Sequence, residues 1–303
     1  MSGRLLYYLF IIPVSKLPDA LIRALSYVLY VILKYVVRYR SSIISNNLTG
    51  AFPNKTKIEI EAIKNRFYRH LSVVFLDGIK SFSISKDQLR RRIQFDNADV
   101  IRKHYKNNTS VIITVGHYHS WELLLAGINL FIRHRAAVIY QPLKNEFLDT
   151  KLRQTRSDFR TLMISTKDVK SFFNAKMESP TAVLFAIDQA PANPKRSYWM
   201  HFLNQETPVH FGAEKFAVKY NIPVYHANLT QNTDGKYSLK FELITTDPRD
   251  EPPGYITEKA TQLLESQIIE RPEFWLWSHK RWKHQRPEGI QLQQLITEHT
   301  GRE

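Results

Sequence analysis

The sequence predicts an α/β fold, a mixed sheet flanked by helices, with a separate apolar helical region in front of it. Three observations predict it. From about residue 110, short apolar runs rich in Val, Ile and Tyr alternate with stretches of helical spacing, the pattern of strands with helices packed on their faces. Residues 57–82 carry Ile60, Ile63, Phe67, Leu71, Val74 and Phe75 at intervals of three and four, which places them on one side of a helix. Before residue 40 the chain is dominated by apolar side chains with few charges. No internal repeat or low-complexity linker divides it. The simplest organisation is an N-terminal helical region, residues 1–56, and one α/β domain, residues 57–303.

The elements follow in order. Leu5 to Ile12 is a short apolar run after Arg4. It resembles a weak signal peptide, but Pro13 and Lys16 follow it with no small-residue cleavage site. Ala20 to Val37 is about as long as a minimal membrane span. Arg23 and Lys34 interrupt it near its ends, where long cationic side chains reach the lipid headgroups. It reads as a helix lying on or dipping into a bilayer, with Arg38 and Arg40 held to an anionic surface; a buried helix of a soluble protein is the alternative. Lys57–Phe82 reads as an amphipathic helix. Ser110–Val115, Ala136–Tyr140, Thr181–Ile187 and Pro223–Leu229 read as buried strands, and alternating Tyr237–Ile244 as a more exposed one. Glu122–Ile132, Glu146–Phe159, Asp168–Met177, Gly212–Tyr220 and Tyr255–Ile269 read as helices.

Composition narrows the function classes. The 303 residues suffice for one large core or two modest ones, and 43% apolar content argues against long disorder. Forty-three Lys and Arg against 28 Asp and Glu leave a charge of +15, which suits an acidic partner or an anionic surface. The absence of cysteine excludes disulfides, thiolate metal sites and a cysteine nucleophile.

One segment carries a candidate reaction centre. Val111 to Val115 ends in Gly116-His117, and Glu122 opens the next helix five residues on. Reactive groups gather at the carboxyl ends of strands in α/β sheets. His117 is suited to take a proton near neutral pH, and a carboxylate on its other ring nitrogen would fix the tautomer. Across a strand-to-helix turn Glu122 can reach it. The spacing alone is weak: with 11 His, chance gives roughly one such pair, and His201/Glu206 is a second one without the strand-turn-helix frame. His119 adds a His-x-His pair, but no third metal ligand follows at a suggestive spacing. Ser120 lacks the surroundings of a serine nucleophile. No metal or cofactor is expected.

Further blocks extend the pattern: Tyr140-Gln-Pro-Leu-Lys-Asn-Glu-Phe-Leu-Asp149 with Arg156 beyond, Ile187-Asp188-Gln189, Phe202-Leu-Asn-Gln-Glu-Thr-Pro-Val-His-Phe-Gly-Ala-Glu-Lys-Phe-Ala217, Arg271-Pro-Glu-Phe-Trp-Leu-Trp-Ser-His-Lys-Arg-Trp-Lys283, and Asn47-Leu-Thr-Gly-Ala-Phe-Pro53. In this order, over nearly the whole chain, they resemble the late acyltransferases of lipid A biosynthesis, the lauroyl and myristoyl transferases of the lysophospholipid acyltransferase superfamily. The wording is similar to the Bacteroidetes-like branch. The resemblance implies a glycerolipid acyltransferase-like fold and an enzyme at the cytoplasmic face of the inner membrane. It implies transfer of a fatty acyl group from an acyl-carrier protein thioester, or acyl-CoA, to a lipid hydroxyl. It places the catalytic pair on His117 as base and Glu122 as its orienter. Arg156, Asp188 and Gln189 fall on positions that line the site as substrate-binding or supporting residues, with an Arg156–Asp188 structural ion pair as the plain alternative. Phe202-Leu203-Asn204 stands where the family commonly has Phe-Phe-Gly, which bears on the acceptor. A lysophospholipid or aminolipid acyltransferase is the nearest other reading, and an inactive membrane-bound scaffold the reading of another class. The interleaved Trp, Arg and Lys of 275–283 fit a packed core element or a headgroup anchor; nucleic acid is not an expected partner.

Overall fold

The computed structural model describes residues 3–175, 178–232 and 235–293. α1 (Gly3–Leu6), a π-helical turn (Tyr7–Ile11) and α2 (Ile12–Ser15) form the first apolar helix. Pro18, which cannot continue that helix, precedes α3 (Asp19–Val31), and a π-helical turn (Ile32–Val36) extends it. Arg38 and Arg40 take left-handed backbone conformations and turn the chain into α4 (Ser41–Ala51). No single helix among the described residues is long and apolar enough to cross a membrane; Asp19–Val36 and Ser41–Ala51 meet such a length only together, bent by 89°. α5 (Lys57–Lys80) starts at a reciprocal cap in which Thr56 and Glu59 satisfy each other's backbone N–H groups. Its apolar side, Ile60, Ile63, Phe67 and Leu71, is buried as the spacing predicts.

The α/β part runs α6 (Lys86–Arg92), β1 (Ile93–Phe95), α7 (Asp99–Lys106), β2 (Val111–Val115), α8 (Trp121–Gly127), β3 (Arg135–Tyr140), α9 (Glu146–Asp158), β4 (Leu162–Ser165), α10 (Val169–Asn174), β5 (Thr181–Ala186), β6 (Tyr198–Phe202), β7 (Gln205–Val209), α11 (Gly212–Tyr220), β8 (Val224–Gln231), β9 (Tyr237–Thr245) and α12 (Tyr255–Glu270). The expected helix Asp168–Met177 corresponds to α10; its last two residues, 176 and 177, lie outside the described residues.

Seven strands form one mixed sheet in the order β1-β9-β8-β2-β5-β3-β4, parallel throughout except between β8 and β9. β2 sits at its centre and every residue of it is buried, which is why it reads as an unbroken apolar run. Alternate side chains serve opposite faces. Ile112, Ala137 and Val183 join the core formed with α5, α11 and α12, while Val111, Ile113, Val115, Ala182 and Leu184 join the core on the other face.

β6 and β7 pair apart from the main sheet as an antiparallel hairpin. Its two turn residues, Leu203 and Asn204, both lie at positive φ, 50° and 60°. That is the two-residue turn that favours Gly or Asn. The Asn204 that replaces the family's usual glycine is thus a turn residue, and its side chain also bonds the carbonyl of Ala51 at 2.9 Å. The block Gly212 to Ala217 is structural as well. Buried Glu214 accepts from the backbone N–H groups of Gly254 and Thr257 and from the Thr257 hydroxyl, and so caps α12.

Candidate active site

The parallel pairing of β2 with β5 sets the site. Val115 pairs with Ala186, and the N–H of Ile187 donates to Val115 O at 3.0 Å. Two residues past that pair, His117 and Asp188 leave their strands side by side. From here β2 leads towards β3 on one side of the sheet and β5 towards β8 on the other. The crevice lies where the chain diverges, the position at which open α/β sheets bind ligands. Gly116 makes the turn possible, because a Cβ there would strike the Leu264 side chain of α12.

His117 Nδ1 lies 2.7 Å from Asp188 Oδ1, and the backbone N–H of His117 donates to Asp188 Oδ2 at 2.7 Å. The indole N–H of Trp275 donates to the same Oδ2 at 2.8 Å. The carboxylate is buried, 3% exposed, whereas the imidazole keeps 19% of its surface open. With Asp188 on Nδ1, the proton of a neutral ring sits there and Nε2 presents its lone pair. The side-chain amide of Gln189 stands 3.2 Å from Nε2, as a donor to it. Burial opposes the charged imidazolium, but the charge and hydrogen bond of Asp188, with Glu122 adding, outweigh it and hold the His117 pKa above the ordinary histidine value. Burial alone would raise the Asp188 pKa; the His117 ring and backbone and the Trp275 indole reverse this and hold it well below the usual carboxylate range.

The carboxylate on His117 is therefore Asp188, not the Glu122 that spacing along the chain pointed to. Glu122, in the first turn of α8, instead pairs with Arg156 of α9 through a very short contact. The Arg156 side chain is 1% exposed and Glu122 33%. Arg156 also reaches the Ser81 hydroxyl at 3.4 Å, and its Nη1 has no partner. The anticipated Arg156–Asp188 pair does not form: each residue supports a different member of the site. Glu122 acts on His117 through its charge rather than through a hydrogen bond.

Other sequence candidates separate. His201 and Glu206 are exposed cross-strand neighbours in the β6–β7 hairpin, and Glu206 binds Arg286. His119 is buried at positive φ and stacked on Phe274, 4.0 Å between centroids; burial pushes its pKa far down. No group of three metal-ligating side chains occurs among the described residues. The Ser120 hydroxyl is committed to buried Asp77 of α5 at 2.7 Å, an acid pushed up to about 6 by burial.

Sequence reasoning missed the C-terminal segment as part of the site. Besides the Trp275 contact, the N–H of Ala190 donates to His279 Nε2 at 3.0 Å, and His119 N donates to Phe274 O. Asn47 of α4 bonds the carbonyls of Trp277 and His279, and Arg40 that of Ser278. The segment straps the loops after β2 and β5 to α4. Its signals in the sequence were the mixture of Trp with cations and its place among the blocks of the family resemblance, and neither says what the indoles touch.

Residues 2–284 match the family described as bacterial lipid A biosynthesis acyltransferase. The chain is 22% identical over 259 residues to the lipid A biosynthesis palmitoleoyltransferase of Escherichia coli, covering 84% of this chain and 81% of that protein. A lipid A biosynthesis acyltransferase of Shigella flexneri aligns to the same extent, and one of Haemophilus influenzae is 22% identical over 248 residues, 80% of this chain and 78% of its own. The chain belongs to the bacterial lipid A biosynthesis acyltransferase family and is an acyltransferase.

Proposed function

We propose that this enzyme transfers a fatty acyl group from an acyl thioester, carried by acyl-carrier protein, to a hydroxyl of a lipid A precursor at the cytoplasmic face of the inner membrane. The observation that carries the chemistry is the imidazole of His117, which keeps part of its surface open to solvent and is bonded on Nδ1 to a buried carboxylate. His117 Nε2 takes the proton of the acceptor hydroxyl as its oxygen attacks the thioester carbonyl. The tetrahedral intermediate collapses, the carbon–sulfur bond breaks, and the departing thiolate recovers the proton from His117. Asp188 fixes the tautomer and stabilises the imidazolium. Arg156 holds Glu122, so that α8 keeps its angle beside the base. No covalent acyl-enzyme is needed.

The N-terminal region supports the membrane reading. Eleven of the seventeen large apolar side chains exposed among the described residues lie between Leu5 and Val37, including Leu9 at 71% and Val36 at 72%. A patch of that extent marks an interaction surface. Cations sit over aromatic rings beside it: Arg4 and Lys151 over Phe147, Lys34 over Tyr35, and Arg69 over Tyr27. Aromatic and cationic side chains together suit the lipid headgroup layer. Phe147 and Lys151 belong to α9, the helix that carries Arg156, so the surface adjoins the site. A net charge of +15 suits both an anionic bilayer and an acidic carrier protein.

A transfer assay in anionic vesicles tests this reading, with labelled acyl-carrier protein and a lipid A precursor, for wild type and His117→Ala. Transfer by the wild type and none by a folded His117→Ala protein is the expected result; wild-type turnover by that variant sinks it. Failure of the wild type to sediment with the vesicles sinks the membrane part.

A further inference from the structure

We propose that Trp275 is a positioning residue for acyl transfer, its indole N–H locking the Asp188 carboxylate in the orientation that presents Oδ1 to His117 Nδ1. The inference rests on the reading of His117 as the base. Asp188 is bonded by three N–H groups: the His117 ring, the His117 backbone and the Trp275 indole. Among the described residues no Lys or Arg forms an ion-pair contact with it, and buried Arg281 acts on it only through its charge at longer range. That choice of donors matters. A lysine or arginine on Oδ2 would offset the negative charge that the imidazolium needs. An indole N–H carries no net charge, donates only, and does not titrate. It holds the carboxylate and leaves the charge for His117.

Trp275 is itself immobilised. It is 1% exposed and packs edge-on against Trp277, 4.7 Å between centroids, and against Phe202 at 5.7 Å. Its backbone forms an antiparallel bridge with Tyr118, the residue after the base. The segment that presents the indole is thus tied to the turn that presents the imidazole, and the two bonds on Oδ2 arrive from opposite parts of the chain. A buried indole N–H needs some acceptor in any case. A merely structural role would let another acceptor serve equally well, and the experiment separates the two.

The test compares Trp275→Phe with wild type in the transfer assay across pH, and repeats the substitution in an Asp188→Asn background. Phenylalanine keeps an aromatic ring and removes the N–H. The expected kcat loss is about tenfold, with KM for donor and acceptor little changed. The acid limb of kcat/KM moves to higher pH, because a carboxylate with one donor fewer is more basic and holds the imidazolium more tightly. In the Asp188→Asn background the second substitution costs nothing more, since the residue it acts through is gone. Wild-type kcat with an unmoved acid limb overturns the proposal, as does an undiminished loss in the Asp188→Asn background. Should Trp275→Phe fold poorly, 3-benzothienylalanine at position 275, the same bicycle with sulfur in place of N–H, gives the same two outcomes. His117→Ala in the same series keeps the failures apart. An active His117→Ala enzyme removes the base reading; an inactive one beside a wild-type-like Trp275→Phe removes only the role of Trp275.

Discussion

Replacing Asp188 by asparagine asks the site to keep its shape and lose one acceptor. Oδ2 receives two donors, the His117 backbone N–H at 2.7 Å and the Trp275 indole at 2.8 Å, while Oδ1 receives only the His117 ring at 2.7 Å. The asparagine oxygen therefore takes the Oδ2 position, where it satisfies two buried N–H groups. Its NH2 then faces His117 Nδ1 and donates to it. The ring must move its proton to Nε2, the nitrogen that should accept the proton of the attacking hydroxyl. The variant folds and binds both substrates, but its base is in the wrong tautomer. The corresponding change in a Ser-His-Asp triad lowers kcat roughly 10^4-fold, about 5 kcal/mol in barrier height, and a loss of that order is expected here. A single-turnover assay with labelled acyl-carrier protein and saturating acceptor reads the chemical step directly, and a thermal unfolding scan checks that the fold survives. An Asp188→Asn enzyme within tenfold of wild type, beside an inactive His117→Ala, would refute the assignment of Asp188 as the residue that orients the base.

Glu122→Gln is expected to behave differently. It leaves buried Arg156 without a charged partner, so any loss of activity comes with a loss of stability, about 2 kcal/mol after allowing for the partial exposure of Glu122, read as a lower unfolding midpoint; an unchanged midpoint would show that the pair does not anchor α8. Stability should also fall on acidification through buried His226, whose Nδ1–H donates to Thr114 Oγ1 at 2.9 Å, whose Nε2 accepts from the Gln267 amide at 3.0 Å, and whose pKa burial lowers to about 4. The unfolded histidine takes its proton near 6.5 and the folded one refuses it until about 4, so the cost grows as pH falls through that window, to about 3 kcal/mol. His70 acts in the same direction and Asp77, raised to about 6, in the opposite one. Urea midpoints at several pH values check this, and a His226→Gln protein with the same pH slope as wild type would contradict it.

What the sequence made legible follows physical length scales. The five anticipated strands correspond to β2, β3, β5, β8 and β9, because each is long enough to show an apolar run or an alternation. β1 has three residues and β4 four, too few to display a period. The β6–β7 hairpin was hidden because its turn uses Leu203 and Asn204 rather than a glycine pair. His117 and Asp188 were each singled out as candidates, the first from its place after an apolar strand, the second through the family resemblance. Their contact was not. It joins residues 71 apart in sequence and is fixed by the register of β2 on β5, which no spacing along the chain reports. Spacing favoured Glu122 because it lies near His117 in sequence.

The division of labour between the two carboxylates has an electrostatic consequence. Glu122 is paired with Arg156, yet its charge still adds to that of Asp188 in raising the His117 pKa. Among the described residues Asp188 is hydrogen-bonded by N–H groups of the His117 ring and backbone and of Trp275, and buried Arg281 acts on it through its charge. Within this hydrogen-bonded set the carboxylate stands 2.7 Å from His117 Nδ1 with no Lys or Arg bonded to it. On the proposed mechanism a neutral His117 gains its positive charge as it takes the proton of the acceptor. In the neutral ring from which the proposed mechanism starts, the attraction between Asp188 and the imidazolium arises as the oxygen attacks. Only an interaction with that property accelerates the chemical step rather than tightening substrate binding. Had Glu122 faced the ring with Arg156 still attached, the guanidinium would have offset most of this gain. On the proposed mechanism, a buried Asp188 held by an indole rather than by a bonded cation biases the site towards the transition state.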